Sequence, residues 1–308
     1  MSARGEFEVV AALLRVHEGA RPAEVELGIG DDAAVIAPSG RLVWTVDAQV
    51  DHVHFERGWL DAEDIGFRAH AAATSDVYAM GAHPIAALAS YVVPPGSAGL
   101  AEAIARGSRA SADRHGAQVV GGNLSAGGEL SITTTVVGRC ETPLRRSGAR
   151  AGDGLYVAGT LGHAALGLRA LRDSLPLARF SPFVSAWRRP LLPVTCLRTI
   201  GQAHAAIDVS DGLAQDLSHL LVASSIGAEL DESALHDEVL ARASDETPFA
   251  WLDLVLHGGE DYAIVCASPT PLEGFRHIGE CTTTPGLRLR RTSGCVEVVP
   301  ARGHEHRW

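Results

Sequence analysis

Aspartates gather at four places in this chain, and each place is a turn beside an apolar run. They are Gly28-Ile29-Gly30-Asp31-Asp32, Asp47 at the end of Leu42-Val43-Trp44-Thr45-Val46, Ser75-Asp76, and Asp208-Val209-Ser210-Asp211-Gly212. Carboxylates at element ends, with glycines that let the backbone come close, suit hard, oxygen-ligated cations such as Mg²⁺. Each cluster alone reads equally as an ordinary turn, and Asp211 as a first-turn helix charge. Together they carry more weight, because many acids in one place repel unless cations neutralise them. Spacing alone does not make them neighbours.

Other groups could serve anionic chemistry. Gly121-Gly122-Asn123 follows the apolar strand pattern Gln118-Val119-Val120, where glycines let phosphate approach backbone N–H groups; a tight turn has the same pattern. Arg145-Arg146-Ser147-Gly148 offers a guanidinium fork for phosphate, or a solvated loop pair. His52 and His54 alternate along a segment expected to be extended, so both should face one side, as a metal pair or as substrate-contacting histidines. Gly258-Gly259-Glu260-Asp261-Tyr262 again sets acids on a glycine turn before an apolar strand.

Composition removes several alternatives. None of the 308 residues is a lysine, so all 26 basic side chains other than histidine are arginines. Schiff-base chemistry and a phosphate-loop lysine are therefore excluded. The Gly-x-Gly-x-x-Gly and Gly-x-Ser-x-Gly patterns are also missing, which sets dinucleotide-dependent dehydrogenases and serine hydrolases aside. A net charge of −11 disfavours nucleic acid as the main partner. The five cysteines (Cys140, Cys196, Cys266, Cys281, Cys295) show no Cys-x-x-Cys spacing, arguing against a disulfide framework or structural zinc. No apolar run reaches membrane-helix length, and Met1–Glu6 carries no apolar secretion segment, so the expectation is a cytoplasmic protein without membrane contact.

The elements that must position these groups follow from periodicity. Helices are expected over 6–16, 64–80, 100–115, 164–171 and 212–224, the last with Ser210 as N-cap. Strands are expected over 42–46, 118–120, 130–137, 155–158, 207–209 and 262–267, followed by a loop-rich stretch with short strands. The turn-rich Gly148–Asp153 stretch suggests a boundary, giving domains 1–150 and 151–308 in an α/β or α+β chain.

In order, these motifs resemble thiamine-monophosphate kinase. The resemblance rests on Gly28–Ala34, Val46–Phe55, Ser75-Asp76 with Ala79–Ala82, Leu144–Asp153, Ile207–Leu213 and Gly258–Tyr262, and runs from Gly5-Glu6-Phe7 to Gly303-His304-Glu305-His306. The family lies within the wider aminoimidazole ribonucleotide synthetase-like superfamily. The resemblance implies an α/β N-terminal domain, binding ATP and metal and pairing its sheet across a homodimer. It further implies an α+β C-terminal domain that closes the active site. The implied reaction moves the γ-phosphoryl of ATP onto thiamine monophosphate, in line and with several Mg²⁺ ions, to give thiamine diphosphate. Carried over by position, Asp32, Asp47, Asp76, Asn123, Asp208 and Asp211 look like Mg²⁺ ligands. Gly121, Gly122, Arg146 and Ser210 look like ATP contacts, and His54, Glu260 and Trp308 like substrate contacts.

The chain departs from the family pattern twice. Asn123 stands where the family often has Asp, and Arg307 stands where a C-terminal aromatic is common, with Trp308 one place later. Two other readings compete: another ATP-using superfamily enzyme (a ring-closing synthetase or maturation factor), and a nucleotide-binding regulatory homologue without catalysis. No cysteine precedes Cys140 and the chain does not end in one, which counts against the selenophosphate and hydrogenase-maturation branches.

Overall fold

Between residues 41 and 140 the computed structural model builds a four-stranded sheet. The structure describes residues 6–19, 22–29 and 33–304. By its internal contacts the chain forms two units, one of residues 1–77 and 82–141, the other of residues 78–81 and 142–308.

In the first unit α1 (Glu6–His17), β1 (Val25–Leu27) and β2 (Val35–Ile36) precede β3 (Arg41–Val50), α2 (Ala62–Ala79), β4 (His83–Val93), α3 (Ala98–His115), β5 (Gln118–Ala126) and β6 (Ser131–Cys140). The sheet order is β3-β6-β4-β5, with β4 and β5 parallel and the other neighbours antiparallel. One face is core: Val43 and Gln49 of β3, Ile132, Thr134 and Val136 of β6, and Ala87, Ala89 and Tyr91 of β4 are buried. The period of two then forces Leu42, Trp44 and Val46 to the other face, where they are 48%, 71% and 65% exposed.

In the second unit β7 (Gly154–Ala158), α4 (His163–Arg172), α5 (Leu177–Arg188), β8 (Ala205–Val209), α6 (Leu213–Ser224) and β9 (Gly227–Asp231) are followed by three short helices. These are α7 (Glu232–Leu235), α8 (Glu238–Ser244) and α9 (Trp251–His257). β10 (Ala263–Ser268), β11 (Arg276–Thr282), β12 (Gly286–Arg290) and β13 (Val296–Val298) complete it. The seven-stranded sheet runs β13-β12-β9-β11-β7-β10-β8. β8 and β10 are buried at every residue, Asp208 of β8 included, so the acids of the loops after β8 and before β10 lead out of a dry sheet.

Candidate active site

β3 extends beyond its apolar core to Val50, so Asp47 lies within the strand and not at its end. Its partner across β6 is Thr134. Thr45, two residues earlier and on the same face, donates its hydroxyl to Asp76 Oδ2 of α2 at 2.5 Å. Strand and helix thus bring Asp47 and Asp76 to one side of the sheet. Among the described residues, Thr134 Oγ1 and Gln49 Oε1 beside Asp47, and Asp51 Oδ1 just past β3, are buried and find no hydrogen-bond partner. A region of carboxylates with unsatisfied hydroxyl and amide oxygens suits a hard, hydrated cation, so the donor set fits Mg²⁺.

Gly121, Gly122 and Asn123 do not form a turn after a strand; β5 continues through them to Ala126. Turn composition misled here because the neighbouring strand imposes its own demand. A Cβ on Gly122 would lie 1.9 Å from the Ala89 carbonyl oxygen, so close pairing with β4 requires glycine. Asn123 pairs with Ser90 and shares its face, opposite to the face of Asp47, and its Nδ2 donates to Ser125 Oγ at 3.0 Å. Three strand spacings separate β3 from β5, about 14 Å, so Asp47 and Asn123 of one chain do not ligate the same ion.

The His52–His54 segment is a turn, not an extended run. His52 adopts φ 63°, its N–H donates to the Phe55 carbonyl at 2.8 Å, and Asp51 bridges Phe55. His52 then pairs with Glu56 at 2.8 Å, while His54 Nδ1 accepts from the Val50 N–H at 3.1 Å. Asp51, His52 and Glu56 come within ligating reach of one another, but Arg57 Nε sits 2.5 Å from Asp51 and makes the group an ion-pair network. Asp32 and Trp308 lie outside the described residues.

In the second unit Asp208 is 6% exposed near the end of β8, and Ser210 and Asp211 follow in a half-buried turn. α6 begins at Leu213 with Gly212 as N-cap, so Ser210 is not the cap. The turn is organised from within the helix. Asp216 Oδ2 accepts the N–H groups of Ser210, Asp211 and Gly212, each at 3.0 Å. Burial raises the Asp216 carboxyl to about 6 despite those three donors.

The 258–262 loop locks onto this turn. Glu260 N–H donates to Ser210 O at 2.8 Å and Tyr262 N–H to Val209 O at 2.9 Å, which places β10 from Ala263 onward. Gly259 adopts φ 73°, and a Cβ there would lie 2.6 Å from the Ser210 carbonyl oxygen, so only glycine fits. Glu260 and Tyr262 take the left-handed region at φ 66° and 49°, held by those bonds. Glu260 Oε2 accepts from the buried Trp187 Nε1 at 3.0 Å. Asp261 turns inward and accepts from the Gly162 and Ala164 N–H groups at 2.6 and 3.0 Å, filling the N-terminus of α4 with a carboxylate. Burial raises that carboxyl to about 7.

Arg146 is anchored elsewhere in the second unit. The Arg145 carbonyl accepts from Ala206 N–H of β8 at 3.2 Å, and the Arg146 carbonyl accepts from Ser224 Oγ at 2.9 Å, leaving the Arg146 side chain exposed. The second unit therefore collects Asp208, Ser210, Asp211 and Glu260 at the C-terminal end of β8 and its flanking loops, whereas Arg146 is anchored at the start of β8 and the far end of α6. The sequence reading missed Asp216 and Trp187, and it placed Asp261 on a glycine turn without giving it this inward role. Asp216 left a signal: an acid on the buried stripe of Leu213, Leu217 and Leu220 needs a partner.

A fold of this architecture, with acids at strand and helix ends, belongs to a known class. Residues 30–140 match the family described as AIR synthase related protein, N-terminal domain. A Mycobacterium tuberculosis thiamine-monophosphate kinase is 36% identical over 301 residues, 92% of this chain and 87% of that protein. The chain belongs to the thiamine-monophosphate kinase family. The crystal structure of the enzyme from Stenotrophomonas maltophilia K279a aligns with a TM-score of 0.78 and 32% identity, covering 92% of this chain and 94% of that one. A structure of AaThiL complexed with AMPPCP and TMP aligns with a TM-score of 0.79 and 29% identity, over 97% of this chain and 96% of that one.

Proposed function

We propose that this chain transfers the γ-phosphoryl group of ATP to thiamine monophosphate, giving thiamine diphosphate and ADP. The observation that carries the reading is the near full-length likeness to AaThiL complexed with AMPPCP and TMP, an ATP mimic with the acceptor. Identity of 36% to the mycobacterial kinase across 92% of the chain supports it over a ring-closing or maturation activity.

The residues fit the chemistry. Both reactants are anions, and divalent cations offset their repulsion and the charge spread over the phosphate oxygens. Asp32, Asp47, Asp76, Asp208 and Asp211 would hold Mg²⁺ through carboxylates, and Asn123 through a neutral carbonyl oxygen at a separate ion. Arg146, Ser210, Gly121 and Gly122 are assigned to ATP, and His54, Glu260 and Trp308 to the acceptor. The acceptor phosphate is already ionised near neutral pH, so alignment matters more than a strong general base. Glu260 is held for this role by Trp187 and by its own backbone bond to Ser210.

A homodimer belongs to the same reading. Leu42, Trp44, Val46 and Leu88 form an exposed apolar strip on the sheet's outer face, a surface suited to a second sheet. The direct test incubates purified protein with ATP, Mg²⁺ and thiamine monophosphate and measures thiamine diphosphate. Product dependent on all three is expected; retained ATP binding without product would favour the regulatory homologue.

A further inference from the structure

The turn that carries Ser210 and Asp211 is held from both sides. Its successive N–H groups converge on one buried oxygen, Asp216 Oδ2, while its carbonyls accept from Glu260 N–H at 2.8 Å and His304 N–H at 3.0 Å. Three consecutive N–H groups around one point form an anion-binding nest of the kind that elsewhere receives phosphate. Here the nest is filled by the chain's own carboxylate, 4% exposed, from the first turn of α6. The nest is thus closed to ligand. The filled nest fixes the backbone that carries Ser210 and Asp211, directly after the end of β8 with Asp208, and Asp211 Oδ2 accepts from Gln215 Nε2 at 3.3 Å. Gly212, at φ 136°, completes a path that no ordinary helix start would follow.

We propose that Asp216 is a positioning residue for phosphoryl transfer, fixing the Ser210–Gly212 turn so that Asp208, Ser210 and Asp211 are set before nucleotide and cation arrive. The proposal rests on the function given above. It differs from a purely structural role in its consequence. A helix-start acid that served only stability would alter melting and leave the cation requirement alone. A positioning acid acts through the ligands it orients, as supporting groups around metal sites do.

The test compares the full-length wild type with Asp216→Asn and Asp216→Ala. In Asp216→Ala, kcat is expected to fall, and the Mg²⁺ concentration for half-maximal rate to rise, each by roughly 10–100-fold. The KM for thiamine monophosphate should change less than kcat, because Glu260 is also held by Trp187 Nε1, outside the turn. Asp216→Asn keeps one acceptor oxygen and should fall between the wild type and Asp216→Ala. Amide hydrogen exchange of the metal-free, nucleotide-free protein supplies a readout independent of activity. The Ser210, Asp211 and Gly212 amides should be protected in the wild type and exchange faster in Asp216→Asn. Wild-type Mg²⁺ dependence and kcat in Asp216→Ala would overturn the proposal. So would unprotected amides at these three positions in the wild type, a result that stands even if Asp216→Ala fails to fold. If the wild type forms no thiamine diphosphate, the kinase reading fails, and the exchange pattern alone then decides whether Asp216 holds the turn.

Discussion

The acids of this protein differ in what their neighbours ask of them. Asp76 accepts a hydroxyl from Thr45 and stays half-buried, whereas Asp216 and Asp261 are buried and consumed by backbone N–H groups. An acid of the first kind can turn its charge to a cation, while one of the second kind turns it to backbone donors. Asp76→Asn and Asp208→Asn preserve shape while removing that charge, so each should lower turnover at saturating Mg²⁺ by about 100-fold or more while unfolding stays cooperative. Steady-state rates paired with thermal melts check this; near-normal rates would refute the ligand assignment. At this scale the sequence marks Asp47, Asp76, Asp208 and Asp211 as acids beside apolar runs, and their role as ligands is what these rates test. Which acids are internal supports was not legible in it, because that depends on N–H groups presented by a loop folded elsewhere.

Helix and strand ends explain where local reading failed. α4 starts after Gly159 and Gly162, a strand–glycine–helix pattern that elsewhere invites phosphate. Its N-terminal N–H groups are already bonded to Asp261, 97 and 99 residues along the chain, so the helix end is a structural joint. Asp261→Ala would leave those buried donors orphaned and should destabilise the protein by roughly 2–4 kcal/mol. Asp261→Asn, retaining an oxygen, should lose less, and denaturant melts of the two variants separate the cases. The same long-range logic lengthened β5 through Gly121-Gly122-Asn123, because β4 offered it a pairing edge. Helices α2 and α3 were legible within two residues, since their periodicity is local. Ser210 looked like an N-cap until Asp216 claimed the turn.

At the scale of the molecule, the two units hold opposite kinds of buried charge. In the first, His70 is fully buried between Ser111 Oγ at 3.0 Å and the Ala117 carbonyl at 2.8 Å, with Thr74 at 3.5 Å. His115 shares Ser111 and packs edge-on to Phe67, and His17 lies near Arg109 and Asp113. Burial lowers these imidazoles from about 6.5 to about 4 for His70 and His17, and to about 3 for His115. A depressed histidine stabilises the fold above its unfolded pKa and loses that contribution as pH falls through its folded pKa. His70 alone should cost roughly 3 kcal/mol between pH 6.5 and 4. Asp216 and Asp261 have raised values and run the other way, favouring the fold more as pH drops below about 6 to 7. Acidification should therefore weaken the first unit before the second. Segment-resolved hydrogen exchange at pH 7 and pH 5 checks this; equal loss of protection in both units would contradict it.

Trp44 gives the outer face of the first sheet an optical identity. Trp44 is 71% exposed, whereas Trp187 is 0% exposed. Water relaxes around an excited indole, so Trp44 emits to the red and is open to a dissolved quencher, while Trp187 emits to the blue and is shielded. If the proposed second copy covers that face, Trp44 passes from the first class to the second. Emission colour against protein concentration then becomes a label-free gauge of assembly, read from a side chain native to the chain.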